Sequence, residues 1–122
     1  RSTNGPYGLA FNDEFGIEKG GFGYYADKGL SVLGIDGPGG EGIVLFVPKK
    51  ELFGQKAGII INDPQNGGQL FYIGANVKGE RIINMDVQGK GRFSIEMDST
   101  SSTNIKYFDY VKSTERMLLK SK

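Results

Sequence analysis

Residues 82–97 read Ile82-Ile83-Asn84-Met85-Asp86, then Val87-Gln88-Gly89-Lys90-Gly91, then Arg92-Phe93-Ser94-Ile95-Glu96-Met97. The last segment alternates: Phe93, Ile95 and Met97 share one side of an extended chain, and Arg92, Ser94 and Glu96 share the other. An aspartate closes the first apolar run, and a glycine-rich stretch separates the two runs. Asp hydrogen-bonds to backbone just ahead of it, and Gly supplies the positive φ that tight hairpins require. The stretch therefore reads as strand, turn, strand.

The same unit occurs twice more upstream. Val32 to Asp36 leads through Gly37-Pro38-Gly39-Gly40-Glu41-Gly42 into Ile43–Val47. Ile59 to Asp63 leads through Pro64-Gln65-Asn66-Gly67-Gly68 into Gln69–Ile73. The Asp-to-Asp spacings, 27 and 23 residues, are too uneven for a repeat array, so these are three hairpins of one meander. Working outward, the predicted strands are Phe22–Ala26, Leu30–Asp36, Ile43–Val47, Gly58–Asn62, Gln69–Ile73, Arg81–Val87, Arg92–Met97 and Asn104–Val111. The adjacent pair Tyr107-Phe108 interrupts the last and predicts a bulge there. Ile43–Val47, Ile59–Ile61 and Leu70–Ile73 are apolar on both sides. Such strands lie centrally in a sandwich, or one of their faces lies under the N-terminal arm or a partner.

The expected fold is thus all-β: an antiparallel meander of about eight strands forming a sandwich or flattened barrel over residues 22–112. Residues 1–21, rich in Gly, are expected to form an irregular, extended N-terminal arm. The tail 113–122 is expected as a short helix capped by Ser113, and Lys49–Phe53 as a single helical turn.

With 122 residues the chain has room for one domain and one core. Its 20 Gly and 4 Pro suit many short strands and tight turns. Cys, His and Trp are absent, which excludes disulfides, Cys/His zinc sites, cysteine nucleophiles and His-based triads. Lys+Arg 15 against Asp+Glu 14 gives no overall bias toward nucleic acid, and the basic tail from Lys106 is too ordinary to supply one. The longest apolar run, Ile43 to Val47, falls far short of the roughly 20 residues of a membrane helix. The chain starts at Arg1 without an apolar leader, so any address segment is expected to have been removed.

Gly37-Pro38-Gly39-Gly40-Glu41-Gly42 has the spacing of a dinucleotide-binding loop. That loop opens a helix, however, whereas a strong strand follows here, so the stretch reads as a hairpin turn. Alternate turns of a meander fall at one end, which places Asp36, Asp63 and Asp86 together with Glu41 and Asn66. Lys49, Lys50, Lys56 and Lys78 fall at the other end. Carboxylates on loops can bind Ca²⁺ or sugar hydroxyls, but no D-x-D-x-D-G loop is present and each Asp has a turn to open. No metal and no cofactor is therefore expected, and Ca²⁺ is not expected to raise the melting midpoint.

The segments Gly29-Leu30-Ser31-Val32-Leu33-Gly34-Ile35-Asp36, Gly42-Ile43-Val44-Leu45-Phe46-Val47-Pro48 and Ala57-Gly58-Ile59-Ile60-Ile61-Asn62 resemble uncharacterised lipid-anchored surface domains of Bacteroidetes. The resemblance spans residues 22–75. The C-terminal third departs from it, and the lipid-attachment Cys is missing. It implies a β-sandwich exposed at a cell envelope and carries over no functional residue.

Two functional readings follow. The first is a non-catalytic protein-interaction or assembly domain of a secreted or cell-surface protein. There the arm or an exposed edge strand completes a neighbour, and deleting residues 1–21 weakens assembly. The second is a small carbohydrate-binding module using Tyr24, Tyr25 and Tyr72 as ring platforms, with Asp36, Asp63 and Asn66 as hydroxyl partners. No pair of carboxylates is marked out for catalysis, so the protein is not expected to be an enzyme.

Overall fold

The computed structural model describes residues 7–50, 55–87 and 90–121. The strands are β1 (Tyr7–Asn12), β2 (Glu18–Tyr25), β3 (Leu30–Gly37), β4 (Gly40–Pro48), β5 (Gln55–Asn62), β6 (Gln69–Asn76), β7 (Arg81–Val87), β8 (Gly91–Met97), β9 (Thr103–Asp109) and β10 (Thr114–Lys120). All belong to one sheet in the order β1 to β10, each antiparallel to its chain neighbours. All eight expected strands are present as a meander, and two more extend it. The sheet is a single open layer rather than a sandwich or barrel, because β1 and β10 remain at opposite edges.

The two added strands correct the reading of both termini. The expected irregular arm holds β1 and the start of β2, joined by a turn in which Asp13 Oδ1 accepts the N–H groups of Phe15 (3.0 Å) and Ile17 (2.9 Å). Its glycines do not break the strands. Tyr7, Leu9 and Phe11 alternate with Gly8 and Ala10, and Phe22 and Tyr24 alternate with Gly21 and Gly23, so the period of two is written in side-chain size. The tail is not a helix. It is β10, paired with β9 from Thr114↔Asp109 to Lys120↔Asn104. A ten-residue helix carries the full nucleation cost, whereas the edge of β9 offers unpaired backbone groups at once. Ser113 is a turn residue at φ 51 rather than a cap. The bulge also lies elsewhere: Tyr107 and Phe108 pair regularly with Phe93 and Arg92, and the register shifts in β10 between Met117 and Leu119. The expected turn at Lys49–Phe53 lies mostly outside the described residues.

The turns repeat one device. In the β1–β2, β6–β7 and β8–β9 turns, Asp13, Asn76 and Asp98 each accept two backbone N–H bonds through the side-chain oxygen, from the second and fourth residues beyond. The residue three beyond the Asx has positive φ: Gly16 (80), Gly79 (81) and Ser101 (65). Only the last is not glycine, and its Cβ is crowded in that conformation. Ser101→Gly is expected to stabilise the protein by about 0.5–1 kcal/mol. A thermal melt reads this as a midpoint a few degrees higher; an unchanged or lower midpoint refutes the account.

The bonds made by these turns also set an acid response. Hydrogen bonds hold two carboxyls below the ordinary carboxylate range: Asp13 chiefly by the N–H of Ile17, and Asp98 chiefly by the hydroxyl of Thr100. A carboxyl whose pKa is depressed on folding stabilises the fold above its ordinary value, and that contribution is lost as pH falls through the depressed value. The midpoint is therefore expected to fall below about pH 4. Asp98→Asn, which keeps the acceptor but does not titrate, should lose less between pH 7 and pH 3. An equal loss would refute a role for this turn.

Candidate functional site

Cross-strand partners share a face of the sheet. Followed from strand to strand, the register gives Leu9, Phe22, Leu33, Leu45, Ile59, Ile73, Ile83, Ile95, Ile105 and Leu119 as one row, one residue from each strand. All are apolar. The adjoining row on this outer face carries Phe11, Ile35, Ile43, Ile61, Phe71, Met85, Phe93 and Tyr107. No second layer covers either row. Leu9 is 72% exposed, Ile35 59%, and even central Ile73 is 43% exposed. Among the described residues, charge on this face sits at its margins, on Arg81 at the start of β7 and on Asp109 and Arg116 of the last two strands. With ten strands about 4.8 Å apart, the row runs about 43 Å.

The inner face differs from end to end. Across β7 to β10 it is mostly polar, with Ile82, Phe108 and Met117 as its apolar members. Arg92 Nε contacts Asp86 Oδ1 at 2.6 Å, Lys106 Nζ contacts Glu96 Oε2 at 3.0 Å, and buried Ser94 Oγ donates to buried Asn84 Oδ1 at 2.7 Å. Burial opposes the charge on Arg92, but the Asp86 hydrogen bond and charge outweigh it and raise its pKa above the ordinary arginine value. Lys106 is likewise raised, chiefly by its bond to Glu96. Across β3 to β6 the inner face holds the small core of Leu30, Val44, Phe46 and Tyr72. The Tyr72 ring lies over Gly58 and Gly74, its hydroxyl donates to Ala75 O (2.9 Å) and Ala57 O (3.3 Å), and Phe46 stacks beside it at 6.3 Å between centroids. Burial here comes from a large ring lying across glycines.

Across β1 to β3 the inner face is nearly bare. Gly21, Gly23 and Gly34 leave a trough of about 220 Å³, walled by Tyr25 and Val32, with Asp36 and Glu41 at one side. It adjoins a second depression of about 330 Å³ over Leu30, Val44, Phe46 and Ile60. The Lys28 ammonium lies 5.7 Å from the Tyr25 ring centroid.

The structure brings together some of the expected site residues and separates others. Tyr25 and Asp36 both line the trough but at opposite ends, since Tyr25 pairs with Leu30, six residues and roughly 20 Å along β3 from Asp36. Tyr24 points to the outer face, in register with Tyr7. Tyr72 is 1% exposed and presents no platform to a sugar; burial raises its hydroxyl pKa. Asp63 Oδ1 accepts the N–H of Gln65 (2.8 Å) and Asn66 Oδ1 that of Gly68 (2.9 Å), so both shape their own turn. That turn touches the preceding one, where Gly39 N–H donates to Pro64 O at 2.7 Å. Asp86 does not join Asp36 and Asp63: Arg92 holds its Oδ1, and Gln69 Nε2 donates to Oδ2 at 2.9 Å. Among the described residues no three acidic side chains are grouped to hold a metal ion.

Sequence reasoning did not identify the outer face as a surface. Its signal was present in the doubly apolar strands, but which of their two sides lay uncovered depended on the number of layers. No protein-family model, curated protein or solved structure matches this chain.

Proposed function

We propose that this protein is a non-catalytic assembly domain that works by burying its outer face against a protein partner, as part of a secreted or cell-surface protein. One observation carries the reading. In β7 to β10 the inner face is mostly polar and ion-paired, with Ile82, Phe108 and Met117 its apolar members, so the outer rows are the larger apolar surface those strands have, and in the lone chain they face water. Contiguous apolar surface beyond a few hundred Å² marks an interaction site in a soluble protein.

Carbene footprinting of the protein in its native source, compared with the denatured chain, tests the reading. Ile73, Ile83 and Ile95 are expected to be protected, and turn residue Ser99 is expected to label in both. Equal labelling of the isoleucines in both states refutes an interface.

Carbohydrate binding is the second reading, favoured by an open trough with a glycine floor that has the Tyr25 ring at one end and Asp36 and Glu41 at the other. It uses the opposite face. A glycan array with wild type and Tyr25→Ala distinguishes it, since the footprint of the outer face does not depend on it.

A further inference from the structure

We infer that the partner on the outer face is a second copy of this chain, and that two copies pack outer face to outer face to complete a two-layer sandwich. The inference rests on the assembly reading above and names its partner. The first argument is area. The chain exposes 8513 Å², whereas a compact monomer of its mass exposes roughly 6,450 Å². The excess, about 2,000 Å², is shared by the two faces of the open layer, and half of it still exceeds the roughly 800 Å² per partner of a standard stable interface. The planar footprint of the face, about 43 Å by 20 Å, reaches that threshold independently.

The second argument is fit. Two sheets pack with aligned strands when their twists match, and a copy has the same twist by construction. A twofold interface also requires a surface that complements itself. A face whose first row is uninterrupted Leu, Ile and Phe meets that condition, because apolar contact is non-directional and the charges of the face lie at the rim. A lipid surface fits less well. The strands run 6 to 9 residues, against about 9–11 for a membrane-crossing strand, and an open sheet edge is not tolerated in lipid.

The experiment uses the full chain without detergent. Light scattering after size exclusion is expected to give twice 13.3 kDa across the micromolar range. Ile73→Lys, in the middle of the row, is expected to weaken self-association at least tenfold, while Glu41→Lys on the inner side leaves it unchanged. Because a lysine there could also impair folding, the second measurement is gentler. The chain has no cysteine, so Leu33→Cys, Ile73→Cys and Ile95→Cys each introduce a single thiol. In the dimer these are expected to resist maleimide at least tenfold more than Ser99→Cys in a turn.

A monomer at all concentrations overturns the second copy. So does an open-ended ladder of masses, or a dimer whose row cysteines label freely, which would mean pairing through the edges of β1 or β10. A monomer whose isoleucines are nevertheless protected in the native source overturns the second copy and leaves the assembly reading standing. Free labelling in both settings overturns both. A face protected only in lipid vesicles makes the occupant a membrane and also overturns the proposal.

Discussion

Tyr72→Ala is expected to lower stability by about 3–5 kcal/mol, a large part of the roughly 5–15 kcal/mol that holds a domain folded. The size of the effect follows from how few side chains this molecule buries fully. Tyr72 is the largest of them, and Leu30, Val44 and Phe46 complete the buried apolar cluster among the described residues. Removing the ring takes away its contact with Phe46, uncovers the backbone at Gly58 and Gly74, and frees Ala75 O and Ala57 O from their shared donor. Tyr72→Phe keeps the ring and loses only the hydroxyl, so its cost should be about 1 kcal/mol. Urea denaturation of the two variants measures both values. Equal losses would show that the hydroxyl rather than the ring holds this part of the sheet.

Gly74→Ala should have the next largest effect, about 3 kcal/mol, although it adds one methyl group. That methyl would stand 2.4 Å from Ala57 O and 2.4 Å from the Tyr72 hydroxyl oxygen. The first is backbone within the β5–β6 ladder, and the second is locked by the hydrogen bonds just described. Gly34→Ala is the matched control. It lies on the same face, its nearest neighbour would be Ile43 O at 3.9 Å, and its φ is not in the left-handed region. There alanine should be neutral, or stabilising by about 0.4–1 kcal/mol through the unfolded chain. Comparing the two urea midpoints separates close approach from glycine content: similar losses at both positions would refute the packing argument.

The central strands were legible because most alternations and apolar runs ended at an Asx or Gly turn, and Ile43–Val47 ended at Pro48. Asp63 does what its place in the sequence suggested, and the Asp13, Asn76 and Asp98 turns use the same chemistry. The ends of the chain were harder to read for opposite reasons. In β1 and β2 the inner positions between Tyr7, Leu9 and Phe11 and beside Phe22 are small, Gly8, Ala10, Gly21 and Gly23, so a hydropathy pattern sees turn residues where there is a strand. In β10, Met117-Leu118-Leu119 suits a helix by propensity, and the free edge of β9 decides otherwise. The sandwich was expected because doubly apolar strands need cover on both sides, and sequence does not say whether that cover belongs to the same chain. Of the candidate site, Tyr25 and Asp36 share one trough but stand at its opposite ends. Asp63 and Asn66 are spent on turns, and Tyr72 is spent on the core.

Every strand of this sheet pairs with its neighbour in sequence, and that bears on how the protein comes to exist. No strand must wait for a distant segment, so closing each hairpin fixes only a short loop and the entropy lost at each step is small. Folding can begin at any hairpin and spread both ways, as in an array of repeats where each unit touches only the next. During synthesis the chain can therefore add strands in the order in which they emerge, with no stretch held unpaired until the C-terminus arrives. The same economy lets strands be lost from either edge by mutation or proteolysis without unravelling the middle.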